Sequence, residues 1–244
     1  RNCSSLGCAG GNVSLAAADF EFVRKLLRES AAIVLDDGKG YLVEARLTPV
    51  ARAEGHADVA ALVRALRAGA PSRLLEKVVD ALTTNETSFF RDLDVYESLR
   101  TAILPALVKQ ASSGPFGIWS MACSTGQEPY TLTMLLKEYF HSLFANANRI
   151  LATDLSSAVL ERAKQGKYTT LEVNRGLPAK LLVKFFTQTG VSWEIKPELR
   201  ERVEFRQMNL TKPWPPIARM DLVLLRNVLI YFDAKDREKI VTGF

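Results

Sequence analysis

The pattern of apolar positions changes about one third of the way along the chain. Up to residue 84, apolar residues recur every three or four positions, as in helices that pack one face against a core. The stripe formed by Phe20, Val23 and Leu27 is a clear example. We therefore predict a small all-helical domain over residues 14–84, in which Pro49 ends or kinks the second helix.

Short apolar strands alternate with helices in the second part of the chain. The predicted elements, in chain order, are strand 116–121, helix 128–145, strand 149–153, helix 156–165, strand 202–207 and strand 220–225. Alternation at this spacing predicts an α/β, Rossmann-like domain over residues 116–244, with a parallel sheet covered by helices on both faces. Nearly continuous apolar runs such as residues 220–225 suit strands that are buried on both sides.

Three other segments complete the predicted organisation. Residues 1–13 are small and polar without periodicity, which is typical of a disordered leader. Residues 85–115 are predicted to form a linker and an interdomain helix that is broken near Pro105. Residues 167–201, approximately, interrupt the alternation and are predicted to form an inserted subdomain of helices and short antiparallel strands. Because only four strands of the main sheet precede Phe244, we expect the natural protein to continue beyond it.

Composition and charge narrow the class of protein. The chain has 244 residues, of which 48% are apolar and 24% charged, as in soluble globular proteins. The net charge is +5, but acidic residues are interspersed among the basic ones, so we expect no nucleic-acid partner. No apolar run reaches the roughly 20 residues that a membrane-spanning helix needs, and no export signal is visible. We therefore expect a cytoplasmic protein without membrane insertion.

The sequence gives no indication of a metal site. The three cysteines are Cys3, Cys8 and Cys123, an odd number without metal-ligand spacing. Only His56 and His141 are available to complete such a site. We therefore predict reduced thiols and no bound metal.

A polar turn follows the first predicted strand, in residues 122–129. It begins at Ala122, contains a single glycine, Gly126, and has neither of the glycine patterns that bind phosphates. Glu128 at the start of the next helix favours a ligand with a positively charged amino or sulfonium group over a pyrophosphate. The turn is thus a candidate ligand-binding segment, and the alternative is a simple connector.

Asp154 directly follows the second predicted strand. The carboxyl edge of a parallel sheet is where ligands bind, and a carboxylate there can accept hydrogen bonds from both hydroxyls of a ribose. The alternative is a role at the start of the next helix, where Ser156 competes as the capping residue. In the same way, Asn209 and Leu210 after the third strand are candidates for contact with an adenine edge, and the alternative is a turn asparagine.

Two arginines are candidates for binding a carboxylate. Arg91 follows two phenylalanines in the segment that begins at Asn85, and its guanidinium can bind a carboxylate through two parallel hydrogen bonds. Arg226 closes the fourth strand, where a partly buried cation needs an acidic partner. That partner is a substrate carboxylate or, alternatively, Asp221 or Asp233.

Four motifs, in this order, carry a family resemblance. They are Asn-Glu-Thr-x-Phe-Phe-Arg at 85–91, Ala-Cys-Ser-Thr-Gly-Gln-Glu-Pro-Tyr at 122–130, Ala-Thr-Asp at 152–154 and Arg-Asn-Val-x-Ile-Tyr-Phe at 226–232. Together they resemble the CheR-type chemotaxis receptor O-methyltransferases over residues 14–244. The resemblance implies S-adenosylmethionine as cofactor and S-adenosylhomocysteine as product. It also implies methyl esterification of glutamates in the cytoplasmic helical bundle of chemoreceptors, for sensory adaptation.

The resemblance also implies roles for individual residues. The implied cofactor contacts, with the turn residues Ala122 and Gly126 added, are Asn85, Thr87, Arg91, Ala122, Gly126, Glu128, Asp154, Asn209, Leu210, Arg226 and Asn227. Positioning of the substrate is implied for Arg91, Arg226 and Tyr231. A glutamate side chain is ionised at neutral pH because its pKa is about 4.3, so the reaction needs alignment and no general base.

The same resemblance indicates how the receptor is recognised. The helical domain is implied to face the receptor, and residues 46–77 hold six basic and three acidic side chains. This excess favours an acidic receptor surface, although a solvated helix face explains it nearly as well. Some members bind a C-terminal receptor pentapeptide through a glycine-rich loop in the inserted subdomain. The corresponding stretch 186–193 is shorter and lacks Gly-x-Gly-Pro, so we predict a pentapeptide-independent member.

Two other functions remain open from the sequence. One is a methyltransferase for a nucleic acid or a small molecule, although the Asn-Pro-Pro-Tyr-like element of base amino-group methylation is missing after the fourth strand. The other is a non-catalytic signalling module that binds S-adenosylmethionine.

Overall fold

The computed structural model describes residues 15–110, 116–146 and 149–243. The predicted leader, residues 1–13, lies outside the described residues, and so do Cys3 and Cys8. The chain divides into two compact units between Leu82 and Thr83.

The described part of the first unit is helical, as predicted. Its helices are α1 (Ala17–Ala31), α2 (Gly40–Ala53), α3 (Val59–Arg67) and α4 (Ser72–Leu82). The predicted apolar stripe faces the core, where Val23 and Leu27 are fully buried. Helix α2 does not end at Pro49 but continues to Ala53. A proline removes only one hydrogen bond of the helix, and the buried face with Val43 and Leu47 still holds this helix against its neighbours.

A helical segment opens the second unit after the first motif. It consists of α5 (Leu93–Ser98), a π-helical turn (Leu99–Ile103) and α6 (Leu104–Gln110). Pro105 has no N–H group to donate to the carbonyl four residues before it, and the wider π-helical turn accommodates this loss. The predicted break near Pro105 is therefore a local widening within a continuous helical segment.

The described strands form two sheets in the second unit. They are β1 (Ile118–Met121), β2 (Ile150–Asp154), β3 (Lys167–Thr169), β4 (Phe186–Thr189), β5 (Ser192–Ile195), β6 (Val203–Gln207) and β7 (Leu222–Leu225). The main sheet has the order β6-β2-β1-β7, and its neighbouring strands are all parallel. Its register places Met121 beside Thr153 and Leu225, so the carboxyl ends of these strands meet at one edge. The predicted Rossmann-like parallel sheet is confirmed.

Helices cover this sheet and complete the unit. They are α7 (Gln127–Tyr139), α8 (His141–Asn146), α9 (Ser157–Gln165), α10 (Thr170–Asn174), α11 (Ala179–Phe185), α12 (Pro197–Arg200) and α13 (Ala234–Val241). The helix predicted over 128–145 is in fact two helices, because Phe140 leaves the helical conformation with φ −135° and ψ 61°.

The inserted subdomain contains the second sheet, an antiparallel one with the order β3-β5-β4. This subdomain contacts the first motif through the ring of Phe89, which packs edge-on against the rings of Tyr168 and Phe186. The distances between ring centroids are 5.0 Å and 5.6 Å. Gly176 lies so close to this motif that a Cβ atom there would be 2.1 Å from the carbonyl oxygen of Phe89. The predicted insertion of helices and short antiparallel strands is confirmed.

Candidate active site

The turn after β1 has an unusual backbone. Ala122, Ser124 and Gly126 all have positive φ angles, of 53°, 51° and 92°. Left-handed conformations cost about 1–3 kcal/mol for a residue other than glycine, so they persist only where the surroundings fix them. Here the fixing groups are backbone atoms of β2, since the amide of Cys123 donates to the carbonyl of Thr153 at 2.9 Å.

Asp154 is the second group that fixes this turn. Its carboxylate is buried, and its two oxygens accept hydrogen bonds from the amides of Ser124 at 2.8 Å and Ser156 at 3.0 Å. The cap of α9 is Ser156, whose hydroxyl accepts from the amide of Val159. Asp154 is therefore not the capping residue but the link between the first two strand ends. Each carboxylate oxygen can accept more than one hydrogen bond.

Glu128 lies in the first turn of α7 and is largely buried, with 14% of its side chain exposed. It accepts a hydrogen bond from the hydroxyl of Ser120 at 2.8 Å and forms an ion pair with Arg226 at 3.0 Å. Burial raises the pKa of Glu128 above its ordinary value, although the hydrogen bond from Ser120 and the charge of Arg226 oppose this shift. The site thus contains a largely buried carboxylate, and a negative charge there favours a positively charged ligand group.

Arg226 joins three parts of the site. One terminal nitrogen, Nη1, contacts Glu128 and also donates to the hydroxyl of Tyr96 at 3.3 Å. The other, Nη2, donates to the carbonyl of Arg91 at 2.7 Å and to the carboxylate of Asp92 at 2.8 Å. The acidic protein partners of Arg226 are therefore Glu128 and Asp92.

The alternative partners proposed for Arg226 from the sequence were wrong. Asp221 accepts a hydrogen bond from the amide of Gly117 at 2.8 Å. Asp233 caps α13 by accepting from the amide of Asp236 at 2.8 Å. Both acids serve local backbone structure.

The first motif lines the neighbouring surface. The carbonyl of Asn85 accepts a hydrogen bond from the hydroxyl of Ser124 at 2.8 Å, which ties the motif to the strained turn. Arg91 turns its guanidinium towards the carbonyl of Glu86, at 2.8 Å. Beside them is a cavity of about 650 Å³. It is lined by Asn85, Glu86, Thr87, Thr125, Gln127, Ala158, Val159, Arg162, Leu171, Glu172 and Arg175.

The remaining predicted site residues follow β6 and β7. The side-chain oxygen of Asn209 accepts from the amide and the hydroxyl of Thr211 at 3.0 and 2.8 Å, so Asn209 does form a turn of its own. Leu210 is buried. Asn227 has a positive φ of 55° directly after Arg226. Tyr231 is half-buried in a short 3-10 helix, and among the described residues its hydroxyl makes no hydrogen bond with the Arg226 cluster.

Asp92, Tyr96 and Ser120 belong to the cluster but were missed from the sequence. Ser120 gave a usable signal, since it is a polar residue in the middle of an apolar strand and is fully buried. Asp92 and Tyr96 gave none, because they approach Arg226 from more than 100 positions away in the chain.

A parallel α/β sheet whose polar side chains gather at its carboxyl edge defines a domain that binds a nucleotide-type cofactor at that edge. Comparison with known proteins narrows this class. The sequence family described as "CheR methyltransferase, SAM binding domain" matches residues 85–244, and "CheR methyltransferase, all-alpha domain" matches residues 18–83. The chain belongs to the CheR methyltransferase family, and it is an S-adenosylmethionine-dependent methyltransferase.

Proteins similar to this chain are named as chemotaxis protein methyltransferases. Chemotaxis protein methyltransferase 1 of Pseudomonas aeruginosa is 41% identical over 233 residues, which cover 94% of this chain and 85% of that protein. Chemotaxis protein methyltransferase Cher2 of Pseudomonas putida is 38% identical, with 91% and 82% covered. A chemotaxis protein methyltransferase of Borreliella burgdorferi is 31% identical, with 96% and 84% covered. The predicted family, fold class and cofactor are confirmed.

The described part of the chain contains no candidate membrane-spanning helix and no cluster of candidate metal ligands. No helix in it is both long and apolar enough to cross a bilayer. It also holds no group of three or more His, Cys, Asp and Glu side chains that could bind a metal ion.

The raised pKa of Glu128 leads to a pH prediction. We predict that Glu128, in its ionised form, binds the positively charged amino group of S-adenosylhomocysteine. We therefore expect calorimetry to show that its affinity falls as pH falls through the raised pKa of Glu128, above the ordinary value of 4.5. In Glu128→Gln, affinity at neutral pH should fall by about tenfold or more, because a charge-assisted hydrogen bond is lost, and the pH dependence should disappear.

Glu138 provides the matched control. It lies in the same helix, α7, but it is paired with Lys184, whose hydrogen bond lowers the pKa of Glu138. Glu138→Gln should bind the ligand as the unmodified protein does and keep its pH dependence. A pH dependence that persists in Glu128→Gln would assign it to a different group.

Proposed function

We propose that this enzyme transfers the methyl group of S-adenosylmethionine to the γ-carboxylate of glutamates in the cytoplasmic helical bundle of chemoreceptors. The main support for this proposal is the ion pair between Glu128 and Arg226 at the carboxyl edge of the sheet, whose charged atoms are 3.0 Å apart. It sets an acid suited to the charged cofactor beside a cation suited to an acceptor carboxylate. The names of the relatives support a chemotaxis substrate, and with such a substrate we propose a cytoplasmic location.

The residues present fit the cofactor. Glu128 would face its positive charge, and Asp154 would accept hydrogen bonds from its ribose hydroxyls. Further contacts would come from residues of the first motif and of the segments that follow the strand ends, namely Asn85, Thr87, Arg91, Ala122, Gly126, Asn209, Leu210, Arg226 and Asn227. When bound, the cofactor supplies an electrophilic methyl group on its sulfonium sulfur.

The protein's part in the reaction is to hold the acceptor in position. A glutamate carboxylate is already ionised at neutral pH, so no residue has to remove a proton from it. Arg226 and Arg91 would bind this carboxylate, and Tyr231 would orient it by donating a hydrogen bond. Alignment of this kind contributes up to about 7–11 kcal/mol to a two-reactant step.

Methyl incorporation with matched acceptors tests this function. Labelled S-adenosylmethionine is supplied with a receptor cytoplasmic fragment that carries glutamate at its methylation sites, with the same fragment carrying glutamine, with RNA or with no acceptor. We expect base-labile label on the glutamate fragment alone, since only that fragment offers carboxylates at these sites. Label on RNA would show a different acceptor, and cofactor binding without label on any acceptor would show a non-catalytic module.

The inserted subdomain supports recognition without a receptor pentapeptide. Strands β4 and β5 are joined by only Gly190 and Val191, with Gly190 at φ 61°. A two-residue hairpin turn of this kind leaves no room for a longer glycine-rich loop. A titration with a C-terminal receptor pentapeptide should accordingly show no tight binding, and tight binding would refute this part of the proposal.

The helical unit would bind the receptor through part of its basic excess. Several of these cations serve the unit itself: Arg46 donates to the carbonyl of Leu82, Arg67 pairs with Asp19, and Lys77 pairs with Glu54. Arg52, Arg64 and Arg73 are exposed instead. They are the residues that could contact an acidic partner.

We therefore expect the double variant Arg52→Glu/Arg73→Glu to raise the KM for the receptor fragment several-fold, about fivefold at low salt, and less as salt screens the charges. Affinity for S-adenosylhomocysteine should not change. Lys109→Glu, which reverses one exposed charge in α6 of the other unit, is the control. Unchanged receptor kinetics in the double variant would leave these cations as ordinary solvated side chains.

A further inference from the structure

All the terminal N–H hydrogens of the Arg226 guanidinium are used in hydrogen bonds within the protein. Each terminal nitrogen carries two hydrogens, and each nitrogen has two acceptors: Glu128 and Tyr96 at Nη1, and the carbonyl of Arg91 and the carboxylate of Asp92 at Nη2. Only 15% of the side chain is exposed. A carboxylate that binds these terminal nitrogens from outside must therefore replace one of the four partners.

Three of the partners are fixed in place. Glu128 is 14% exposed and is also held by Ser120. Tyr96 is 2% exposed and packs edge-on against the ring of Phe90. The carbonyl of Arg91 belongs to the backbone. If any of these groups left Arg226, a buried polar atom would lose its hydrogen-bond partner, which costs free energy.

Asp92 differs from the other three partners. Its side chain is 57% exposed, and within the described ranges its carboxylate makes no hydrogen bond or ion pair except the one with Arg226. It precedes α5 as the capping residue, yet its side chain makes no capping hydrogen bond. Instead, a left-handed backbone with φ 58° and ψ 71° accompanies its contact with Nη2. An exposed ion pair of this kind contributes little to stability, so it can exchange.

We propose that Asp92 and the acceptor glutamate compete for Nη2 of Arg226, so that Asp92 sets the affinity and the selectivity of the acceptor site. This inference rests on the proposed function of Arg226. An acceptor carboxylate has the same charge and the same acceptor geometry as Asp92 and can take its place. A glutamine side chain has no charge and leaves Asp92 on Arg226.

The same exchange assists release of the product. Methyl esterification converts the bound carboxylate into a neutral ester, which loses its charge-assisted hydrogen bond with Arg226. Asp92 keeps its charge and regains Nη2. Asp92 thus acts as a positioning residue that closes the acceptor site before and after each transfer.

Asp92→Asn tests the competition, because asparagine keeps the shape and tolerates the left-handed backbone but removes the charge. With a receptor fragment as acceptor, we expect its KM to fall by about two- to fivefold, the range of an exposed ion pair. Free glutarate should inhibit the variant at lower concentration than the unmodified enzyme. Asp94→Asn, an equal charge change at an exposed position two residues further on, should change none of these values.

An unchanged or higher KM in Asp92→Asn would overturn the inference, since Asp92 would then serve only to hold Arg226 in position. Arg226→Lys separates this outcome from failure of the proposed function. If it raises the acceptor KM while Asp92→Asn does not lower it, Arg226 still binds the acceptor and only the competition is wrong. If it leaves the acceptor KM unchanged, the acceptor site lies elsewhere, and both the competition and the proposed role of Arg226 are wrong. Thermal melting of each variant checks that it is folded.

Discussion

Replacing Arg226 with methionine is expected to lower the free energy of unfolding of the second unit by about 3 kcal/mol, because it leaves the buried carboxylate of Glu128 without its cation. Methyl transfer should fall by about a hundredfold or more, since the acceptor loses its positioning group. Urea unfolding followed by tryptophan fluorescence measures the first effect. All three tryptophans, Trp119, Trp193 and Trp214, lie in the second unit, so this signal reports that unit alone.

The double variant Arg226→Met/Glu128→Gln shows whether the unpaired charge is the cause. Removing the charge of Glu128 should recover about 1–2 kcal/mol relative to Arg226→Met, so the two single losses should not add. Simple additivity would mean that the two side chains do not interact.

The stability loss in Arg226→Met should also depend on pH. Burial raises the pKa of Glu128 in the folded protein and the charge of Arg226 opposes this shift, so removing Arg226 should raise the pKa further and make ionisation of Glu128 cost more folding free energy at neutral pH. This cost disappears as pH falls below 4.5, and the difference from the unmodified protein should shrink with it. Arg100→Met provides a control, because Arg100 forms an exposed pair with Glu97 and its loss should cost at most about 1 kcal/mol.

Gly176→Ala is expected to have the second largest effect, a loss of about 2–4 kcal/mol from backbone strain and overpacking together. Gly176 has φ +92°, and an added Cβ would lie 2.1 Å from the carbonyl oxygen of Phe89. That contact is with backbone atoms of Phe89, whose ring is held between Tyr168 and Phe186, so the first motif has to move. Affinity for S-adenosylhomocysteine should therefore fall together with the melting temperature.

Gly190→Ala separates backbone strain from overpacking, the two contributions to the stability loss in Gly176→Ala. Gly190 also has a positive φ, +61°, but nothing lies within 4 Å of the position of an added Cβ. It should lose only about 1–2 kcal/mol, from backbone strain alone, and keep its affinity for the ligand. Equal losses in the two variants would show that the close approach of Gly176 to Phe89 has no energetic consequence.

The sequence was sufficient for features that depend on local pattern. The helices of the first unit, the parallel strands and the antiparallel insertion all follow from hydrophobic period and turn residues, which act over a few positions. Element ends were less predictable. Phe140 divides one predicted helix into α7 and α8, and Pro49 ends no helix, because packing against distant residues decides such cases.

Partners across the chain could not be predicted from the sequence. Arg226 was correctly expected to need an acid, but the acids near it in sequence are used elsewhere, and Glu128 and Asp92 come from distant segments. The choice among acids depends on the way in which strand ends meet in space, which a single sequence does not specify. For the same reason, the part that Asp154 plays in shaping the turn was invisible, although the residue itself was singled out.

The turn after β1 has a consequence for the thermodynamics of ligand binding. Its left-handed residues are held by hydrogen bonds to Thr153 and Asp154 that belong to the protein alone. The segment is thus preorganised, and a ligand that settles on it has little conformational entropy of this segment left to remove. Variants that loosen the turn, such as Asp154→Ala, should consequently bind the ligand with a larger unfavourable entropy. The binding enthalpy of the contacts that remain should be similar to that in the unmodified protein.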